Sequence, residues 1–168
     1  MKYFFLVVFI LSSICIASAQ QTVGNGYPKT TGYISVVHPI VTFDRDGATY
    51  NFTNYYTVGF PTGINILKSD KFGYSFEVVP FIKAIGGSSK TSNVLFHPGI
   101  MFRRPHGFTI ITRMAFETAG RYGTTLVFNK VIKKTATNSY FISMPVPFRF
   151  GNDQPASVGF ALQLGVTF

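Results

Sequence analysis

The 168-residue chain contains no tryptophan, one cysteine and only six acidic residues. Charged residues of both signs make up 12% of it, about half the share of an ordinary globular domain. A single thiol excludes an intrachain disulfide and a multi-cysteine metal site. No apolar run reaches the roughly 20 residues that a membrane-spanning helix needs. No basic run exceeds the pairs Arg103-Arg104 and Lys133-Lys134, so the formal charge of +9 does not form a nucleic-acid-binding tract. A P-loop, a dinucleotide fingerprint and a G-x-S-x-G elbow are all missing, and no cofactor is expected. What the chain has instead is 19 Phe, 9 Tyr, 16 Gly and 9 Pro. At roughly 150 residues per domain, this is one domain.

The first 19 residues read as an address. Met1 and Lys2 make a short positive start. Apolar stretches follow at 3–11 and 14–16, and Ala17-Ser18-Ala19 completes an A-x-A site. This is the layout of a secretory signal peptide. Ser12 and Ser13 interrupt the apolar stretch, which argues against a membrane anchor. Ile14 stands where a lipoprotein signal carries a small residue before its cysteine. Removal of residues 1–19 takes Lys2 and Cys15 with it, leaving a charge of +8 and no thiol. Residues 20–31 read as a flexible lead-in, and 32–168 as the domain.

That domain shows almost no helical period. Beta-branched and aromatic residues form eight runs, at 32–43, 48–66, 71–84, 93–103, 107–118, 121–131, 138–150 and 156–168. Short connectors rich in Gly, Asn and Asp separate them, which suits antiparallel hairpins. In the last run Val158, Phe160, Leu162, Leu164, Val166 and Phe168 share one parity, with small or polar residues on the other. Phe72, Tyr74, Phe76 and Val78 do the same against Gly73, Ser75 and Glu77. Alternate residues of a strand point to opposite faces. The runs are 10–13 residues or more, suited to a tilted membrane strand and long for a soluble one. The second parity is rich in Gly, Ala and Ser, which fits a crowded lumen better than a solvent face.

With its signal peptide, eight alternating runs and a last run ending Phe160-Ala-Leu-Gln-Leu-Gly-Val-Thr-Phe168, the chain resembles the small outer-membrane β-barrel proteins of Gram-negative bacteria. The resemblance covers 32–168. It implies an all-β fold, an eight-stranded antiparallel up-and-down transmembrane barrel, with both termini on the periplasmic side. It also implies that the row Phe160, Leu162, Leu164, Val166 and Phe168 is the signal read by the barrel-assembly machinery. Outer-membrane lipid and lipopolysaccharide are the implied surroundings.

With the apolar parity outward, Glu77, Lys83, His97, Arg103, Arg113, Glu117 and Arg149 point into the lumen, and His38 with them. An eight-stranded barrel is just filled by side chains, so these groups must pair. Glu77 and Glu117 against Arg113 and Arg149 would make an ion-pair network. It reads as structural filling, with a proton path or a catalytic carboxylate as the other reading. His38, His97 and His106 do not fall at metal-ligand spacing. Asn51-Phe52-Thr53 matches a glycosylation sequon by chance in a bacterial protein. Lys130, Lys133 and Lys134 sit in a turn, solvated or facing anionic headgroups.

Five prolines, Pro61, Pro80, Pro98, Pro145 and Pro147, fall inside runs, where proline removes a ladder donor. Pro145 and Pro147 share a parity, so two bonds toward the same neighbour are missing. Their expected effect is a weak seam beside the seventh run, or simply a bend in the wall. The functional expectation is a non-enzymatic outer-membrane barrel with a filled, polar lumen, acting in envelope integrity, anchoring or assembly. The alternatives are a lipid-modifying barrel enzyme with lateral lipid access, and an exported soluble barrel with its apolar parity inside around a small apolar ligand.

Overall fold

The computed structural model describes residues 26–151 and 153–168. The signal-peptide segment, most of the lead-in and Asn152 lie outside the described residues. Ten strands follow in order: β1 (Lys29–Asp44), β2 (Gly47–Tyr50), β3 (Tyr56–Gly59), β4 (Thr62–Leu67), β5 (Phe72–Ile85), β6 (Ser88–Arg103), β7 (Phe108–Glu117), β8 (Tyr122–Lys134), β9 (Ser139–Phe150) and β10 (Ser157–Thr167). Each pairs antiparallel with its neighbours, and β10 pairs back onto β1 from Tyr33↔Thr167 to Phe43↔Val158. The sheet thus closes into a barrel and abolishes its own edges.

Ten strands still make a ring of eight staves, because β2, β3 and β4 share one position between β1 and β5. The expected single run at 48–66 is corrected to three strands, for two reasons. Gly59 and Thr62 lie in one continuous register on β1 (Val37, Ile34) and on β5 (Phe81, Val78), so β3 and β4 are one stave interrupted at Phe60-Pro61. Pro61 has no N–H to give, although its carbonyl accepts from the Ser35 amide at 2.9 Å. Residues 51–55, by contrast, are looped out of the wall between Tyr50, opposite Val41, and Gly59, opposite Val37. Asn51 secures the loop: its side-chain amide donates to the Thr57 carbonyl and accepts from the Thr57 N–H, each at 2.8 Å. The first strand also starts earlier than the expected lead-in allows, since Lys29–Thr31 find partners on Leu67–Asn65.

Parity decides the faces. Ser75, Glu77 and Val79 are buried, while Tyr74, Phe76 and Val78 are 41–44% exposed. The apolar row of β10 faces out likewise, with Leu164 at 50% and Phe168 at 58% exposure. Aromatic side chains line the outer wall at both ends and at its middle, where Phe60, Phe76 and Phe96 are exposed. Phe72, Tyr74 and Phe102 pack at one end with ring centroids 5.4–5.6 Å apart, and Tyr122 and Phe150 pack at the other, 6.4 Å apart.

The lumen is filled in layers, and it is less polar than expected. Val37, Val79, Leu95, Ala115 and Ala161 form an apolar cluster toward one end. Leu67, Met101, Ile111 and Val127 form another toward the other end. Inward parity carries these alongside the charged groups because water is excluded from a barrel this narrow. Two inward glycines make room for the largest inward side chains. A Cβ on Gly63 would stand 2.5 Å from the Tyr33 ring and hydroxyl, and one on Gly99 would stand 2.6 Å from Arg113 Cγ.

Candidate functional site

Between the apolar layers lies a buried polar network. Glu77 on β5 accepts from Tyr33 Oη at 2.8 Å and from Arg113 Nη1 at 3.1 Å, and meets His97 Nδ1 at 3.0 Å. Arg113 Nη2 also donates to Tyr33 Oη and to Ser75 Oγ, both at 2.9 Å. His97 Nε2 lies 2.9 Å from Thr125 Oγ1, which accepts from Arg149 Nη1 at 3.0 Å. Arg149 Nε then reaches Glu117 Oε1 at 2.6 Å, and Asn93 donates to Glu117 Oε2 at 2.8 Å.

Thr125 accepts from Arg149 and keeps a hydroxyl hydrogen that it can give to His97 Nε2, and a proton on Nδ1 serves Glu77 in either the neutral or the charged ring. The chain of bonds is continuous from Tyr33 to Asn93, and each carboxylate in it faces a guanidinium. Such a satisfied network is rigid. Ser75 is bonded to Arg113 rather than to His97, so the network contains no serine–histidine pair.

Five of the sequence-singled residues meet here: Glu77, His97, Arg113, Glu117 and Arg149. Lys83 does not join them. It lies on the inward parity at the rim, with Nζ 4.0 Å from the Tyr55 ring centroid. Arg103 does not either, and lines a cavity near the opposite rim. His38 corrects the expectation outright: it alternates with buried Val37, faces outward, and contacts Tyr56 Oη through Nδ1 at 3.0 Å with Phe52 beside it. His106 is in a short 3₁₀ turn, Pro105–Gly107, far from both. Sequence reading missed Tyr33, Ser75, Asn93 and Thr125. Tyr33 shares a parity with Ser35, and that polar partner was the available signal.

The proline pair has a visible consequence. The β8–β9 ladder runs unbroken through Val127↔Pro145 and Thr125↔Pro147. The β9–β10 ladder holds at Val158↔Phe148 and resumes at Gln163↔Ser143, with no rung between. The missing donors therefore point toward β10. Behind this gap lies a cavity of about 80 Å³, walled by Pro145, Pro147, Gly159 and Ala161, that reaches His97 and Arg149.

Charge is divided unevenly between the rims. The rim holding residues 29 and 167 carries Lys29, Lys68, Lys71, Arg103, Arg104, Lys130, Lys133 and Lys134 against Asp70 alone. The other rim carries Arg45, Lys83, Lys90, Arg121 and Arg149 against Asp44, Asp46, Glu117 and Asp153.

No protein-family model matches the sequence, and no curated protein matches it. Solved structures match the fold. One, titled "De novo design of transmembrane beta-barrels", superposes with a TM-score of 0.53 at 11% identity, covering 84% of this chain and 96% of that one. The fold is transmembrane-β-barrel-like. A second design, TMB2.3, gives a TM-score of 0.49 at 10% identity, covering 86% and 95%. The likeness concerns the backbone. The ion-paired lumen layer and the proline gap are features of this chain's own residues.

Proposed function

We propose that this protein is an integral outer-membrane barrel with a plugged lumen, serving envelope integrity, anchoring or assembly rather than passage or catalysis. One observation carries the reading: the outward parity is apolar and aromatic along the wall, while Glu77 and Glu117 are paired with Arg113 and Arg149 inside. That is the inverse of a water-soluble barrel, whose apolar parity would be inside. Residues 1–19, read as a signal peptide, would supply export. The outward row Phe160, Leu162, Leu164, Val166 and Phe168 would supply recognition by assembly machinery. Lipid and lipopolysaccharide would be its surroundings.

Fractionation with a gel-mobility assay tests this directly. The protein is expected in the membrane pellet after a sodium carbonate wash, and unboiled samples should migrate differently from boiled ones. Release into the soluble fraction, or identical mobility, refutes the membrane reading.

The broken β9–β10 ladder favours a second reading, a lipid-modifying barrel that an acyl chain enters from the side. Here the amides of Gly159 and Ala161, opposite Pro147 and Pro145, should exchange with deuterium at least tenfold faster than those of Gln163 and Gly165. The double variant P145A/P147A regains two donors and should slow them toward the Gln163 rate. Equal protection along all of β10 in the wild type would remove the seam and this reading with it.

A further inference from the structure

A cavity of about 290 Å³ opens at the rim that holds residues 29 and 167. Arg103 and Lys134 stand in its wall and Arg113 reaches its floor, together with the amides Asn65, Asn129 and Gln163. No carboxylate lines it. Arg113 is met from below by Glu77, but among the described residues neither Arg103 nor Lys134 forms an ion pair. Asn65 is nine-tenths buried, and its Oδ1 has no hydrogen-bond partner.

From this geometry we propose that the cavity is a binding site for a small hydroxylated phosphate ester. The Arg103 guanidinium offers a planar fork and Lys134 a mobile point charge, the two groups that suit phosphate oxygens. Asn65 Oδ1 requires a donor, which a hydroxyl on the ester supplies. The volume lies at the small end of ligand pockets, which fits a few carbon atoms beside the phosphate. The surrounding rim, with its eight basic residues and one acid, makes a positive field that concentrates anions at the mouth. The buried network closes the floor, so the cavity is blind and holds its ligand rather than passing it. It lies inside the wall, so the proposal stands whichever phase surrounds the barrel.

The test uses the folded protein in octyl glucoside micelles, which carry no phosphate. Titration with glycerol 3-phosphate, followed by amide NMR, should give saturable shifts at Asn65, Arg103, Asn129 and Lys134. Arg103→Gln and Lys134→Gln should each weaken binding at least tenfold. Lys71→Gln and Lys133→Gln, on the rim outside the cavity, should change it less than twofold. Retained spectral dispersion shows that each variant is folded. A second arm adds short-chain phosphatidylglycerol in place of the ester. Shifts at the cavity residues with the free ester mark a soluble ligand, and shifts with the lipid alone mark a headgroup; both support a phosphate site. No saturable shift in either arm, or equal weakening by the cavity and rim variants, overturns it.

Discussion

Arg113→Met is expected to lower the stability of the folded barrel by about 3–5 kcal/mol, the usual cost of breaking a buried ion pair from one side. The loss has several parts. Glu77, 5% exposed, would keep Tyr33 and His97 as donors but lose its guanidinium. Ser75, fully buried, would lose the two bonds that Arg113 gives its hydroxyl, and Tyr33 would lose a donor. Urea unfolding in lipid vesicles reads the effect as a shifted midpoint. The double variant E77L/R113M removes both charges, so it should lose less than the sum of the single variants, as coupled neighbours do. A cost below about 1 kcal/mol for Arg113→Met would mean that water reaches the lumen layer and screens it.

Val78→Arg should have the second-largest effect, and its size separates two solvents. Val78 lies midway along β5, outward and 42% exposed, between Thr62 and Phe96. In a membrane, an arginine at the waist of a barrel costs about 2–4 kcal/mol. In water the same change on an exposed strand position stays within roughly 0.5 kcal/mol of zero. The measurement is the unfolding free energy in vesicles, with an outward rim substitution such as Tyr122→Arg as the reference. A neutral Val78→Arg would refute lipid contact, whatever the fold.

Much of this architecture was legible before any tertiary structure. The alternation in β5 and β10 is a property of each strand's own backbone, so Phe76 and Leu162 could be placed on the outer face and Glu77 on the inner one from spacing alone. The opposite charges Glu77, Glu117, Arg113 and Arg149 could be expected to need one another, since a lumen without water leaves no other way to hold them. The shared parity of Pro145 and Pro147 likewise placed both lost donors on one side of the strand.

Other features depend on closure of the ring. Glu77 meets Arg113, and Glu117 meets Arg149, because strand number and stagger bring particular levels of different staves together across the lumen. Spacing along the chain does not encode that stagger, so Tyr33 and Thr125 entered the network unannounced and Lys83 and Arg103 stayed outside it. His38 faces outward by the alternation of β1 itself, whose inward row is Tyr33, Ser35 and Val37, while the loop at residues 51–55 is held by Asn51, which takes over a backbone partner's work at Thr57. The side to which the proline gap opens was decided when β9 kept its rungs to β8 and lost them to β10. By itself, then, the sequence determined which way each strand's side chains face, because that is a two-residue rule. Only the tertiary structure decided which of them touch, because contact across a closed barrel depends on the register of every strand at once.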